Sequence, residues 1–143
     1  EMSASLVGSE MCIRDSSIRP YQHVLEPLYA YLMIAKAQYG DIKFADCYNV
    51  GPDECDCITT GELVDLFVKY AGNINRIDKS EKNAVHEANF LKLDCSKLKT
   101  VFGWKPHWHV DDAVKKTVEW SCCYMENGNV RDCMDRQIEE FLK

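Results

Sequence analysis

The side chains with the greatest capacity for chemistry are eight cysteines and four histidines, and their spacing limits what they can do. The cysteines stand at 12, 47, 55, 57, 95, 122, 123 and 133. None makes a C-x-x-C pair, and Cys55-x-Cys57 and Cys122-Cys123 are poor spacings for a tetrahedral metal site. They read as reduced, mostly buried thiols of a cytosolic protein. His107 and His109 stand two apart with no third ligand near them in sequence, so they read as surface histidines, and no metal is expected. His23 reads as packed or hydrogen-bonded rather than catalytic. Trp104 reads as a packing residue with its N–H satisfied nearby.

Four other residues could meet a ligand. A guanidinium such as that of Arg19 matches phosphate oxygens bidentately, although an isolated arginine before a proline is ordinarily solvated. Asn49 precedes Val50-Gly51-Pro52, where its amide could simply close a turn. His86 and Glu87 are adjacent polar residues in a region without strong periodicity. No G-x-G-x-x-G or G-x-x-G-x-x-G occurs, so the chain carries no dinucleotide fingerprint. None of the seven tyrosines is read as the base of a catalytic Tyr-x-x-x-Lys pair.

The elements that would position these residues are mostly helical. Ile18 to Val24 reads as extended around Pro20. A helix opens at Glu26-Pro27, with Leu28, Tyr31, Leu32 and Ala35 as its apolar face and Gly40 as its cap. Residues 45–50 read as a strand ended by Gly51-Pro52. Thr59-x-x-Glu62 is a capping box opening a helix with stripe Leu63, Leu66, Phe67 and Tyr70, stopped at Gly72-Asn73. Residues 74–77 and 90–93 read as short strands, with a polar loop from 79 to 83. Asp94 or Ser96 caps a short helix ending at Gly103. A long amphipathic helix carries Val110, Ala113, Val114, Thr117, Trp120, Ser121 and Tyr124. A last helix uses Met134, Ile138, Phe141 and Leu142. The strands have no evident partners within the chain, which suggests pairing with a part that is not here.

Several ordered stretches resemble one family. Arg19-Pro20-Tyr21-Gln22-His23-Val24, Tyr48-Asn49-Val50-Gly51-Pro52, the run His86 to Lys97, Gly103-Trp104-Lys105-Pro106 and the helix from Asp111 to Trp120 are similar to the extended short-chain dehydrogenase/reductases that act on sugar nucleotides. Their form is closest to the NAD-dependent 4,6-dehydratase branch acting on CDP-glucose. Two features depart from the family pattern: Pro20 replaces a usual Asp, and His109 stands where a Ser or Thr cap is common. The resemblance implies an α/β class. Residues 17–143 would be the mostly helical, C-terminal sugar-nucleotide-binding part of an extended Rossmann-type fold, including a late sheet strand near 45–50. The N-terminal dinucleotide-binding half would be missing.

The resemblance also implies a substrate site drawing on Arg19 at the diphosphate, with Asn49, His86 and Glu87 at the nucleotide pocket. In such enzymes NAD transiently oxidises the sugar at C4, water is lost across C5 and C6, and hydride returns to C6. The catalytic and cofactor-binding residues are expected upstream, leaving these residues inactive on their own. The parent is expected to be a cytoplasmic homodimer. Two alternatives stay open. One is a dehydratase for dTDP-glucose or GDP-mannose, or a 4-epimerase. The other is a non-catalytic helical binding module.

Residues 1–16 are set apart. Leu6 to Ser16, LVGSEMCIRDS, corresponds to the translation of a common transposase sequencing adapter, so the segment is expected to lie outside the fold. Composition excludes some partners. The 143 residues are 46% hydrophobic and 28% charged, with a net charge of -6. That balance gives no basic footprint for nucleic acid, and no apolar run reaches membrane-spanning length.

Overall fold

A computed structural model of the chain describes residues 10–13, 17–72, 74–78 and 90–143. Strands β1 (Glu10–Ile13) and β2 (Ile18–Pro20) precede helix α1 (Leu25–Gly40). Two 3-10 turns, Ile42–Phe44 and Glu54–Asp56, lead into strand β3 (Cys57–Thr59) and helix α2 (Thr60–Ala71). Strand β4 (Asn75–Asp78) and helices α3 (Ser96–Phe102), α4 (Val110–Met125) and α5 (Val130–Phe141) complete the order.

The strands pair within the chain, contrary to expectation. β2 runs antiparallel to β3, with Ile18 opposite Thr59 and Pro20 opposite Cys57. Pro20 is tolerated because it ends its strand. β1 runs parallel to β4, so part of the segment expected to lie outside the fold forms a strand. Phe90 makes a single parallel bridge to Ile18 instead of opening a strand over 90–93. Residues 45–50 form no strand either. Tyr48 and Val50 instead turn onto the cluster of Ala30, Leu98 and Trp104. Side-chain burial there replaces backbone pairing.

Local signals set most helix ends. The Thr59 hydroxyl accepts from Glu62 N–H at 3.1 Å, while Glu62 Oε2 accepts from Thr59 N–H at 2.8 Å, completing the capping box. Gly72, with φ 80°, ends α2, and Gly103, with φ 63°, ends α3 in the left-handed region that glycine enters without a Cβ penalty. Asn129 accepts from Arg131 and Asp132 N–H to start α5. At α3 the cap position is Cys95, and Asp94 reaches Ser96 N–H from just outside the helix. Gly40 is the last residue of α1 and Asp41 is its cap. Pro27 sits in the first turn, where its missing N–H breaks no helical bond.

Two helices present faces other than those expected. In α1 the buried or packed residues are Ala30, Met33 and Ile34, while Leu28, Tyr31, Leu32 and Ala35 face outward. The helix is apolar on both sides, so periodicity could not choose between them. In α5 the buried positions are Cys133, Gln137 and Phe141, and Met134, Ile138 and Leu142 are exposed. Gln137 is held inside because its side-chain amide donates to the Lys116 carbonyl at 3.0 Å. The main core joins α2 to α4 through Leu63, Val110, Val114 and Val118, with Leu66, Phe67 and Tyr70 packed on it. Trp120 and Tyr124, expected inside, stack on one another at the surface, 5.6 Å apart.

Candidate functional site

Gly51 is where two loops meet. A Cβ there would lie 3.1 Å from Leu93 Cδ1 and 3.3 Å from Cys95 Sγ, so a larger residue would make residues 93–95 give way by a few tenths of an ångström. Asn49 fastens the same contact, its amide donating to the Asp94 carbonyl at 3.1 Å. Between this junction and the end of β2 lies a polar cavity of about 330 Å³, lined by Pro20, Pro52, Glu54, Lys92, Ser96 and Lys99 among others.

Its charges are already arranged in pairs. Lys92 binds Glu54, and Lys99 binds Asp53. The Asp53 carboxyl holds the Lys99 ammonium above its ordinary pKa, so it stays charged. Ser96, through its side chain and its backbone N–H, pulls the Asp94 carboxyl below its usual range. Burial pushes the thiols of Cys57 and Cys95 up, so both are neutral at pH 7 and poor nucleophiles. Both ammonium groups are thus matched by carboxylates, with Asp94 ionised beside them, and neither thiol is poised for covalent chemistry.

A second cavity, of about 310 Å³, lies between the start of α1 and the α4–α5 pair. His23, Leu25, Trp120 and Ile138 line it, and its one cation, Lys116, is bound by Glu119 and Glu140. Its walls are almost wholly apolar, which suits a polar nucleotide poorly.

The expected site residues divide between these surroundings. Asn49 braces the polar cavity. Arg19 neighbours Pro20 on β2 but does not line the cavity, and its Nη1 donates to the Ile18 carbonyl at 3.1 Å. His86 and Glu87 lie outside the described residues. Lys92 and Ser96 belong to the run from His86 to Lys97 that carried the resemblance, and Lys99 stands two residues beyond it, but none of the three was taken as a ligand.

His23 is buried, accepts from Leu25 N–H at 3.3 Å, and packs edge-on against Trp108. Burial, with help from Lys116, lowers its pKa and keeps it neutral. Trp104 is buried as expected, but its indole N–H finds no partner among the described residues. Of the seven cysteines whose side chains are described, Cys95 and Cys133 are buried, Cys47 and Cys55 are exposed, and the rest are intermediate. Thiol burial is thus less general than their number suggested.

Tyr39 and Lys43 do stand four apart, as Tyr-Gly-Asp-Ile-Lys, which corrects the reading of the tyrosines. They form no helical pair. α1 ends at Gly40 between them, Tyr39 is almost fully exposed, and Lys43 pairs with Asp41 at 2.8 Å. The described residues do not fit a dinucleotide either. The one direct strand-to-helix turn, from β3 into α2, has its N-terminal amide occupied by the Thr59 hydroxyl and a carboxylate, Glu62, where a pyrophosphate would have to sit. Among the described residues no helix is long and apolar enough to cross a membrane.

No protein-family model matches the chain. The chain is 35% identical over 127 residues to CDP-glucose 4,6-dehydratase of Salmonella typhimurium, a match covering 88% of this chain and 35% of that protein. It is 44% identical over 43 residues to a probable dTDP-glucose 4,6-dehydratase of Sinorhizobium fredii, covering 30% of this chain and 11% of the relative. The chain thus spans about a third or less of the curated relatives it matches. Among solved structures, dTDP-glucose 4,6-dehydratase of Bacillus anthracis in complex with NAD superposes with a TM-score of 0.61 at 18% identity, over 87% of this chain and 37% of that one. RMD of Pseudomonas aeruginosa complexed with NADPH gives a TM-score of 0.57 at 18% identity, over 77% and 34%. The chain is thus similar over most of its length to a stretch about a third as long as the CDP-glucose 4,6-dehydratase it matches.

Proposed function

We propose that this chain supplies the sugar-nucleotide-binding part of a 4,6-dehydratase that converts CDP-glucose to CDP-4-keto-6-deoxyglucose and water. The observation that carries the reading is the 35% identity to CDP-glucose 4,6-dehydratase across 88% of the chain. The polar cavity supports it, because Lys92 and Lys99 offer two cations to a diphosphate within one concave surface. Arg19, beside the lining residue Pro20 on β2, and His86 and Glu87, in the segment preceding Phe90, complete the proposed substrate contacts. Asn49 acts by bracing residues 93–95.

In this reading the chain's residues bind and orient the substrate. NAD, when bound, supplies the redox chemistry and belongs with a dinucleotide-binding half outside these residues, as do the catalytic base and acid. The outward apolar face of α1, with Leu28, Tyr31 and Leu32, is the surface on which that half packs. The assembled enzyme is a cytoplasmic homodimer.

Titration calorimetry of the chain with CDP-glucose, dTDP-glucose and GDP-mannose tests the reading. Saturable binding that prefers CDP-glucose, weakened at least tenfold by Lys92→Ala with Lys99→Ala, is expected. The same chain with NAD and CDP-glucose should form no 4-keto product. Preference for dTDP-glucose would favour the second reading, which the 44% identity over 43 residues motivates. Binding of none of the three would remove the substrate assignment.

A further inference from the structure

We propose that Cys55, Asp56 and His109 form a binding site for one zinc-type divalent transition-metal ion, a role separate from the sugar-nucleotide reading. Their ligand atoms converge although 53 residues separate Asp56 from His109 in sequence. Asp56 Oδ2 lies 2.9 Å from His109 Nδ1, and Cys55 Sγ lies 3.8 Å from the same nitrogen. All three atoms fall within 4.8 Å of one another. Bonds of about 2.0–2.3 Å to a tetrahedral zinc imply ligand atoms roughly 3.3–3.6 Å apart. The two separations to His109 lie within about 0.5 Å of that spacing, and the third is no more than 4.8 Å.

The surroundings favour an ion there. Asp56 is buried, and its Oδ1 accepts from Val110 N–H at 2.9 Å. That bond fixes the carboxylate with Oδ2 turned to the other two ligands, the task an outer hydrogen bond performs at metal centres. Cys55 and His109 are exposed, so an ion can enter without unfolding the core. Asp53 and Asp112 lie close enough to add negative potential at His109. One thiolate, one imidazole and one carboxylate suit zinc or cobalt(II) and do not suit magnesium or calcium, which take oxygen ligands. Binding would release the Cys55 thiol proton to solvent and leave a fourth position for water.

The experiment uses the whole chain with cobalt(II) as probe, followed by displacement with zinc. One equivalent of cobalt is expected to give a thiolate-to-metal charge-transfer band that zinc abolishes. Cys55→Ser should remove the band, and His109→Gln should weaken cobalt binding at least tenfold. Cys47→Ser, altering an exposed cysteine outside the cluster, should change neither. Both test residues are exposed, so their replacement should leave the fold intact, which circular dichroism would check. Asp56 is avoided because it anchors α4. No band with excess cobalt, or a band and affinity unchanged in Cys55→Ser, would overturn the site and leave His109–Asp56 as a helix anchor only.

Discussion

Glu26 is fully buried beneath the loop that joins α3 to α4, and removing it should be among the most damaging single changes in the chain. Its Oε1 accepts two backbone N–H groups, from His107 at 2.9 Å and from Trp108 at 2.7 Å. Its Oε2 lies 3.8 Å from His107 Nδ1. The loop it holds carries His107 and Trp108, whose rings pack on Phe141 at 4.5 and 5.1 Å. One carboxyl thus ties α1 to the start of α4 and to α5. Glu26→Ala leaves two part-buried donors without an acceptor, and each orphaned group costs about 1–3 kcal/mol, so about 2–6 kcal/mol is expected. Glu26→Gln keeps one side-chain oxygen for both donors and should lose less than half as much. Urea unfolding followed by tryptophan fluorescence would measure both, with Glu139→Ala as an exposed control expected within about 0.5 kcal/mol of the parent. A Glu26→Ala loss below about 1 kcal/mol at unchanged m-value would refute the bridging argument.

Thr59→Ala removes the hydroxyl that accepts from Glu62 N–H at α2, leaves its own backbone N–H bonded to Glu62 Oε2, and should cost about 1 kcal/mol in the same unfolding assay. Gly103→Ala forces a Cβ into a left-handed φ of 63° and should cost about 1–2 kcal/mol, although nothing lies within 4 Å to clash with it. The two shifted histidines predict opposite pH limbs. Hydrogen bonding to Asp56 raises the His109 pKa above 6.5, so its stabilisation is complete below pH 6.5 and is lost as pH rises through the folded value. Burial lowers the His23 pKa, so stability falls as pH drops below 6.5 towards its folded value. His109→Gln should abolish the alkaline limb and keep the acid one. Stability curves in which both limbs survive that substitution would contradict the assignment.

What the sequence disclosed follows the range of the interaction. The capping box at Thr59–Glu62, the glycine stops at 72 and 103, and the α2 stripe are settled within one or two helical turns, and the residues say so directly. α1 failed this reading because it is apolar all round, and a periodicity with no polar side has no direction. The strands failed for a related reason. A three-residue pair such as β2–β3 is defined by its partner 37 to 41 residues away, and neither sequence alone announces it.

The two buried carboxyls belong to the same class. Glu26 and Asp56 each cap backbone N–H groups 54 to 82 residues further on, so no local spacing marks them. Asp56 shows what this means for the candidate sites. His109 fills the cap position of α4 without capping it, and the distant Asp56 does so instead. That substitution of a long-range acceptor for a local one brings Cys55 to His109. A pair of histidines two apart gave no reason to look for this cluster, because only His109 takes part and Cys55 and Asp56 arrive from another part of the chain. The glycine at 51 carries the same lesson for the polar cavity. Its motif was visible, but the lysines it brings together, Lys92 and Lys99, become a site only once residues 93–95 have closed onto the turn.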